Sequence, residues 1–547
     1  MPNVTINGEE IEVEKGTTIL QAAAQLGHDI PHFCYHPALS IPANCRMCLV
    51  EVEGNEKLQP ACHSPVNDGM VVHTESQRVV KARKSVLEFI LVNHPVDCPI
   101  CDQAGECKLQ DYYMAYDAQE SRLRTEKVSA VKVYPLGPEV VYDGERCILC
   151  TRCVRFCEEI TETDELQTVQ RGDNTEIRTF PGQELDNNYS MCTVDICPVG
   201  ALTARDFRFK CRVWLMSSTD SLCTGCAKGC NIHLDHHRNE VQRYRPRYNP
   251  DVNDYWMCDP GRYTYKEVHT DRLLHPTADG EKVNWHAAME AVESRLGAYV
   301  GEEKKGRLGF VLSPQADCEA AHLARRLTEE VLETEEVYLG GRPSGMSDDL
   351  LIEADKNPNK RGIEFIFDGL EGLGNFYDLV EAIEEGEIDA LFMMNKEIPT
   401  PDMKLRERFF GALDELDLFV YQSMHRGEVE FEPDHRGEFP ERETILAEKA
   451  DIALPACTHV ERDGMFVNAD GIAQEFDRAL APIGESLPDW QIFMKLSKAL
   501  GEAFSYTFVD QIREEMFAET EQRPESLEAK EATSRAPADA ATAAPAE

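Results

Sequence analysis

The sequence predicts a multidomain chain of α+β and α/β character. Two observations carry this. Eighteen of the twenty cysteines fall within the first 258 of 547 residues, many in tight Cys-x-x-Cys spacings. From about residue 276 the texture changes, and short apolar runs alternate with helical stretches. The length suggests about three to four domains at ~150 residues each.

The amino-terminal segment reads as a β-grasp. Val4 and Ile6 alternate, Asn7-Gly8 makes a hairpin turn, and Ile11 and Val13 alternate on the return. Thr17 or Thr18 caps a helix, "TILQAAAQLG", which Gly27 closes. A cysteine-bearing loop follows. The stretch "QRVVKARKSVLEFILVNH" is a basic amphipathic helix expected to stop at Pro95. Residues 109–140 read as a mixed connection. The runs "RLGFVLS", "EVYLGG", "IDALFMMN" and "LFVYQSM" suit buried strands, and "ADCEAAHLARRLTEEVL" and "FYDLVEAIEEG" suit the helices between them. That alternation predicts a parallel sheet with helices packed on it. Residues 425–443 interrupt it as a charged loop. The segment 519–547 has one Leu and no aromatic residue, and is expected to be disordered.

Composition excludes some classes. There are 99 acidic against 56 basic residues, a net charge of −43, which argues against a nucleic-acid partner. The opening "MPNVTINGEEIEV" is polar and strand-like rather than a secretion signal. No run of ~18 apolar residues exists, so direct membrane insertion is not expected. Dense Cys-x-x-Cys spacing without a secretion signal points to metal or redox centres rather than disulfides.

Four candidate centres follow from spacing. Cys34, Cys45, Cys48 and Cys62 lie on a long loop after the β-grasp helix and suit a [2Fe–2S] cluster, with four buried cysteines or a zinc site as the plainer readings. Cys98, Cys101 and Cys107 leave one place open on a [4Fe–4S] cubane. His94 stands four residues before Cys98, and a neutral imidazole can ligate iron. It could equally serve the dipole of a helix end. Asp97 and Asp102 are nearby but are poorer donors for a soft iron–sulfide centre. Cys147, Cys150 and Cys153, with Cys197 before Pro198, can close one cubane in a degenerate ferredoxin-like segment. A second half would need cysteines at 187, 190 and 193, where Asn187, Ser190 and Thr193 stand. Cys223, Cys226, Cys230 and Cys258 form a fourth set, with zinc as the competitor.

This uses fifteen cysteines and one histidine. Cys157, Cys192, Cys211, Cys318 and Cys457 remain as structural thiols. His233, His236 and His237 read better as polar surface residues than as a metal site. Arg46, Lys108, Arg152 and Arg155 adjoin ligands and either raise cluster potentials or face solvent. No GxGxxG, GxxxxGK[ST] or GxSxG motif accompanies the cysteines. Fully ligated clusters pass electrons and offer no open iron, so no catalytic residue is expected.

With these residues located, the chain resembles the family of G-type iron–sulfur subunits of bacterial respiratory complex I, NADH-quinone oxidoreductase. "CYHPALSIPANCRMCLVEV" with Cys62 resembles the family's [2Fe–2S] loop. "NHPVDCPICDQAGECKLQD" resembles its cubane with one histidine and three cysteine ligands, which makes His94 the ligand. "RCILCTRCVRFCEEI" with "DICPVGALT", and "CTGCAKGCNI" with "WMCDPGR", resemble two further cubane segments. "ADIALPACTHVERDGMFVNADGIAQ" resembles a molybdopterin-oxidoreductase pattern, here in a region short for a complete molybdenum enzyme.

The resemblance implies six segments. They are a β-grasp 2Fe–2S domain (1–76), a mixed-ligand 4Fe–4S segment (77–140), a ferredoxin-like 4Fe–4S domain (141–211), a 4Fe–4S domain of molybdopterin-oxidoreductase type (212–275), a truncated molybdopterin-oxidoreductase-like α/β domain (276–518) and a tail (519–547). It implies one [2Fe–2S] and three [4Fe–4S] clusters and no molybdopterin. Electrons would arrive from a flavin- and NADH-binding partner and pass the [2Fe–2S] centre, the Cys147 cubane and the His94 cubane. They would leave toward quinone-side subunits, with the Cys223 cubane standing aside. The implied location is peripheral, on the cytoplasmic side of a bacterial inner membrane. The rival readings are a subunit of an NAD-linked formate dehydrogenase, a hydrogenase diaphorase, and a zinc-stapled interaction module.

Overall fold

A computed structural model of the chain describes residues 1–116, 121–300, 304, 306–429 and 444–519. Most of the expected charged loop (430–443) and nearly all of the expected disordered tail (520–547) lie outside the described residues. The described chain divides into two compact units: residues 1–217 with 255–259, and residues 218–254 with 260–519.

The first unit opens with the expected hairpin. β1 (Asn3–Ile6) pairs antiparallel with β2 (Glu9–Glu12), turning through Asn7 at φ 51° and Gly8 at φ 93°. This is the left-handed pair that a tight hairpin needs. Val4 and Ile6 are buried, as their alternation requires. Thr18 caps α1 (Ile19–Gln25) in a reciprocal capping box with Gln21. β3 (Leu49–Val52), β4 (Gln59–Pro60) and β5 (Met70–His73) complete a five-stranded sheet of order β2-β1-β5-β3-β4, with β1 and β5 parallel. This is the β-grasp arrangement.

α2 (Gln77–Leu91) starts at Ser76, whose hydroxyl accepts from Val79 N. It ends a turn earlier than its apolar pattern suggests. Pro95 disfavours helical backbone at the residue before it, and Val92 N already closes on Phe89 O. His94 therefore stands beyond the helix rather than in its last turn. The connection expected over 109–140 contains a helix, α3 (Lys108–Tyr116). β6 (Tyr134–Pro135), β7 (Val140–Tyr142) and β10 (Leu202–Ala204) form a small sheet, with the hairpin β8 (Gln167–Val169) and β9 (Glu176–Arg178) inserted. α4 (Arg152–Glu159) and α5 (Cys192–Asp195) flank it.

The second unit begins with β11 (Ser217–Leu222), β12 (Asn231–His237) and β13 (Glu240–Pro246), a three-stranded sheet with β12 and β13 antiparallel that cysteine spacing did not reveal. Arg238 and Asn239, at φ 52° and 62°, make its hairpin turn. His233 and His236 lie on β12 against Asp220 and Thr219, at 3.0 and 3.2 Å. The short α6 (Asp259–Tyr263) precedes a seven-stranded sheet. Its members are β14 (Thr277–Ala278), β15 (Glu281–Lys282), β16 (Leu308–Leu312), β17 (Val337–Leu339), β18 (Ala390–Met394), β19 (Leu418–Ser423) and, after the pair β20 (Glu428–Val429) and β21 (Thr444–Ile445), β22 (Ile452–Pro455). The order is β15-β14-β22-β19-β18-β16-β17, and the five strands from β22 to β17 run parallel. Every residue of β16, β18, β19 and β22 is buried, as a sheet covered on both faces demands. α7 (Trp285–Val300), α8 (Cys318–Arg326), α9 (Lys360–Ile366) and α13 (Asp489–Ala499) pack into one apolar cluster. The helix expected over 316–332 changes at Leu327 into a wider π turn through Val331. The second cluster holds α10 (Phe376–Glu384), α11 (Met403–Ala412) and α12 (Leu446–Lys449).

Buried charge ties the second unit together. Arg462 lies 2.7 Å from Asp317 and also pairs with Asp489, and all three are buried. Arg462→Leu strands two buried carboxylates, so it should destabilise this unit by about 3–5 kcal/mol in urea pulse proteolysis. Glu319, fully buried, accepts from Met465 N at 3.0 Å and pairs with Arg513. Burial first, then the Asp317 charge, pushes its carboxyl up to about 7 against the pull of Arg513. Such a group holds its proton more tightly when folded. Its contribution is complete below the ordinary carboxyl range and is lost as pH rises to about 7. Glu319→Gln, which cannot titrate, should lower the fall in stability between pH 5 and pH 7, measured in the same assay.

Candidate metal centres

In the first unit the thiols of the first set gather. Cys34 lies within hydrogen-bonding reach of Cys45 and Cys62, and Cys48 within reach of Cys62. These shared hydrogen bonds push Cys34 and Cys48 down and Cys45 and Cys62 up, so the group parts with its first protons readily. Main-chain amides of Asn44, Cys45 and Met47 also point at the sulfurs. Ala43 and Arg46, at φ 51° and 58°, curl the loop so that these amides face inward. Amide donors converging on thiolates are what an iron–sulfur cluster requires.

The second set follows α2. Cys98 opens a single 3-10 turn (Cys98–Ile100), and Cys107 directly precedes α3, whose first amides, of Leu109 and Gln110, donate to its thiol. Burial pushes Cys107 up to about 12, with the Cys101 and Cys98 thiols adding to it. His94 is half-buried. Burial, then the charge of Lys127, brings its ring down to about 4, so it is a neutral imidazole. Its Nδ1 is buried without a hydrogen-bond partner, while the ring bonds the Arg146 backbone. A ligating histidine needs one free nitrogen and one anchored nitrogen. The two nearby carboxylates are engaged elsewhere. Asp97 accepts from Arg146 at 2.8 and 3.0 Å and from Lys132 at 3.2 Å, and Asp102 accepts from Phe209 N at 2.8 Å.

Cys147 and Cys150 lie on a loop bent by Leu149 and Thr151, at φ 54° and 60°, and Cys153 lies in the first turn of α4. Cys197 follows α5. The four thiols act on one another electrostatically, and burial pushes Cys147, Cys150 and Cys197 up to about 11. Leu149 N and the Tyr142 hydroxyl donate to Cys147. Cys157 lies one turn beyond Cys153, fully buried, with its carbonyl tied to Thr163 N. The Cys192 thiol donates to Met257 O at 3.2 Å. Cys157 and Cys192 are thus buried within the unit, and Cys211 is half-buried.

In the second unit Cys223, Cys226 and Cys230 lie on the turn between β11 and β12. Cys223 N donates to Cys230 O at 2.9 Å, and Gly225 N approaches the Cys223 sulfur at 3.4 Å. Cys258 belongs to the first unit, where its neighbour Asp259 accepts from Ser190 and from Met191 N. Among the described residues no three His, Cys, Asp or Glu converge on a single metal ion. The thiolates of a cubane each bind a different iron and need not converge.

Several residues at these sites carried no sequence signal. Tyr142 and Arg146 are two. Gly200 is another: a Cβ there would stand 2.3 Å from the Cys101 sulfur and 3.1 Å from Gln103. The glycine three residues after Cys197 lets the third set's loop lie directly on the second. Gly200→Ala should therefore displace the Cys101 thiol, so that the EPR signal of any cluster held there changes while that of any cluster held by the Cys34 set does not.

Comparison with known proteins matches these segments one by one. Residues 2–77 match the 2Fe-2S iron-sulfur cluster binding domain, and 83–122 the NADH-ubiquinone oxidoreductase-G iron-sulfur binding region. Residues 137–203 match the ferredoxin-like domain of NADH-quinone oxidoreductase subunit 3. Residues 216–266 match the NDSU1/NuoG-like 4Fe-4S domain, and 441–499 molybdopterin oxidoreductase. The chain thus carries 2Fe–2S and 4Fe–4S binding domains and a molybdopterin-oxidoreductase domain. The G-type subunit of NADH-quinone oxidoreductase from Rickettsia bellii is 42% identical over 320 residues, 58% of this chain and 47% of that one. The NADH-ubiquinone oxidoreductase 75 kDa subunit of Reclinomonas americana is 42% identical over 343 residues, 62% of this chain and 49% of that one. A solved chain of an NAD+-reducing [NiFe]-hydrogenase in the H2-reduced state is 29% identical and covers 39% of this chain and 91% of its own. Its TM-score is 0.36. The chain spans about half the length of the curated relatives it matches. Over the matched residues it is similar to the G-type subunit of NADH-quinone oxidoreductase.

Proposed function

We propose that this chain is an electron-relay subunit of an NADH-quinone oxidoreductase. It takes electrons from a flavin- and NADH-binding partner and passes them toward quinone-side subunits, in a complex that couples the transfer to proton translocation. Its place is peripheral, on the cytoplasmic face of a bacterial inner membrane. No described helix is long and apolar enough to cross a membrane. The six sequence segments are the proposed domains.

The assignment is Cys34, Cys45, Cys48 and Cys62 for one [2Fe–2S] cluster. His94, Cys98, Cys101 and Cys107 hold one cubane, Cys147, Cys150, Cys153 and Cys197 a second, and Cys223, Cys226, Cys230 and Cys258 a third. A bound iron–sulfur cluster supplies reversible one-electron transfer. The chain's own residues hold the thiolates, aim amides at them and keep water out. The observation that carries the reading is the close packing of two cysteine sets, with Gly200 beside Cys101 and the Cys107 sulfur 3.9 Å from Pro198 O. Such contact suits short electron hops and serves no substrate.

The carboxy-terminal domain is proposed as a scaffold without a pterin. At the carboxyl ends of β16, β18, β19 and β22, where an open parallel sheet binds ligands, side chains fill the crevice. Gln422, Arg462 and Asp489 leave a cavity of about 20 Å³, room for about one water.

Anaerobic purification with metal and sulfide counts tests the reading. About fourteen irons per chain, with zinc and molybdenum absent, are expected. Stoichiometric zinc, or unaided turnover of formate, would overturn it. His94→Ala should remove or reshape one cubane EPR signal and leave the [2Fe–2S] signal unchanged.

A further inference from the structure

Four cations adjoin the cysteine sets in sequence, and their surroundings separate them. Arg46 is exposed and Lys108 is half-buried. Arg152 and Arg155, on either side of Cys153, are only 6% and 7% exposed. Both guanidiniums turn toward the first set's loop. Arg155 Nη2 donates to Cys34 O at 2.7 Å and lies 3.5 Å from Cys150 O, while its Nη1 donates to Ser40 O. Arg152 donates to Tyr35 O and, at 3.1 Å, to Ile196 O, the carbonyl just before Cys197. Its Nε is buried with no partner. One pair of side chains thus spans the loops of Cys34 and of Cys150.

Neither arginine is neutralised. Among the described residues neither forms an ion pair within 4.0 Å. Glu159, the carboxylate that bears on Arg155, is turned instead to Ser40 N at 2.7 Å and to the Ser40 hydroxyl. Buried Arg83 of the same unit also forms no ion pair among the described residues, donating to the Tyr116 hydroxyl at 3.0 Å, but Arg146 differs. Arg146 pairs with Asp97 at 2.8 Å and Asp143 at 3.4 Å. Carbonyl oxygens solvate a guanidinium but do not cancel its charge, and a buried uncompensated charge is costly. The groups that would compensate it are anionic, and they sit on both sides: Cys34 and Cys150 each interact electrostatically with Arg155.

We infer that Arg152 and Arg155 are the shared counter-charges of the centre at Cys34 and the centre at Cys150, and that they raise the potentials of both together. This rests on the proposed cluster assignment. A fully thiolate-ligated cluster is anionic and gains one more negative charge on reduction. A fixed cation between two such centres favours the reduced form of each. It also ties their loops at one separation through the ligand carbonyls. Arg155 is a positioning residue here and touches no reacting atom.

The test is an EPR-monitored redox titration of the full chain, anaerobically purified and reduced with dithionite. The wild type must first show a [2Fe–2S] signal and a cubane signal; their absence would sink the cluster assignment itself. In Arg155→Gln both midpoints should fall, with the Gly200-side cubane shifting less. Arg155→Lys, which keeps the charge and loses the fork, should return both midpoints toward wild type. Arg152→Gln should lower the same two. If Arg155→Gln fails to retain clusters while Arg155→Lys retains them, the counter-charge role is supported. Unshifted midpoints with both clusters present would overturn the inference. So would Lys and Gln variants that behave alike, since that leaves only a hydrogen-bonding role.

Discussion

Burial raises the thiols of Cys147, Cys150 and Cys197 to about 11, each within electrostatic reach of the others. The same desolvation raises Cys107 to about 12. Much of the first unit follows from this constraint. Thiols crowded in a dry loop resist ionising one by one, and metal ligation needs them ionised together. The unit answers with donors. Amides at the start of α3 serve Cys107, the Tyr142 hydroxyl serves Cys147, and the curled loop from Ala43 to Met47 serves Cys34 and Cys45. Binding an iron–sulfur cluster would therefore release protons and tighten a fold already shaped around the thiolates.

Charge accounting separates the two units. In the second, buried Arg272 meets Glu461 at 2.7 Å and buried Arg462 meets Asp317 at 2.7 Å, while half-buried Arg243 and Arg245 meet Asp235 at 2.8 and 2.7 Å. Such pairs specify a packing arrangement more than they stabilise it, because desolvation consumes much of the attraction. In the first unit, Arg152 and Arg155 stand without carboxylates beside thiol groups. Their surroundings make sense when the thiol loops carry negative charge.

The second unit has the geometry of a ligand-binding sheet without a roomy crevice. Its parallel strands reverse order around β16, the place where such sheets open a cleft. Arg462, anchored by Asp317 and Asp489, closes that place instead. Filling a cleft with a paired ion triad yields a rigid support.

The hairpin at Asn7-Gly8, a cap at Thr17 or Thr18, the buried parallel strands and the loop that gathers Cys34, Cys45, Cys48 and Cys62 were legible in the chain. Each depends on local periodicity, on a residue's own backbone freedom or on ligand spacing along a loop. The sheet of β11, β12 and β13 was not, because its half-polar strands lack a clean alternation. Nor was the early end of α2, which places His94 beyond the helix. Which carboxylates were already engaged with Arg146, Lys132 and Phe209, and which histidine nitrogen stood free, depended on groups far apart in sequence. Only tertiary structure decided that Gly200 meets Cys101 and that Arg155 links Cys34 to Cys150, since burial and counter-charge are properties of packed loops. The sequence by itself determined what could bind. Folding decided the electrostatic surroundings in which it would bind, because desolvation acts only once the chain has excluded water.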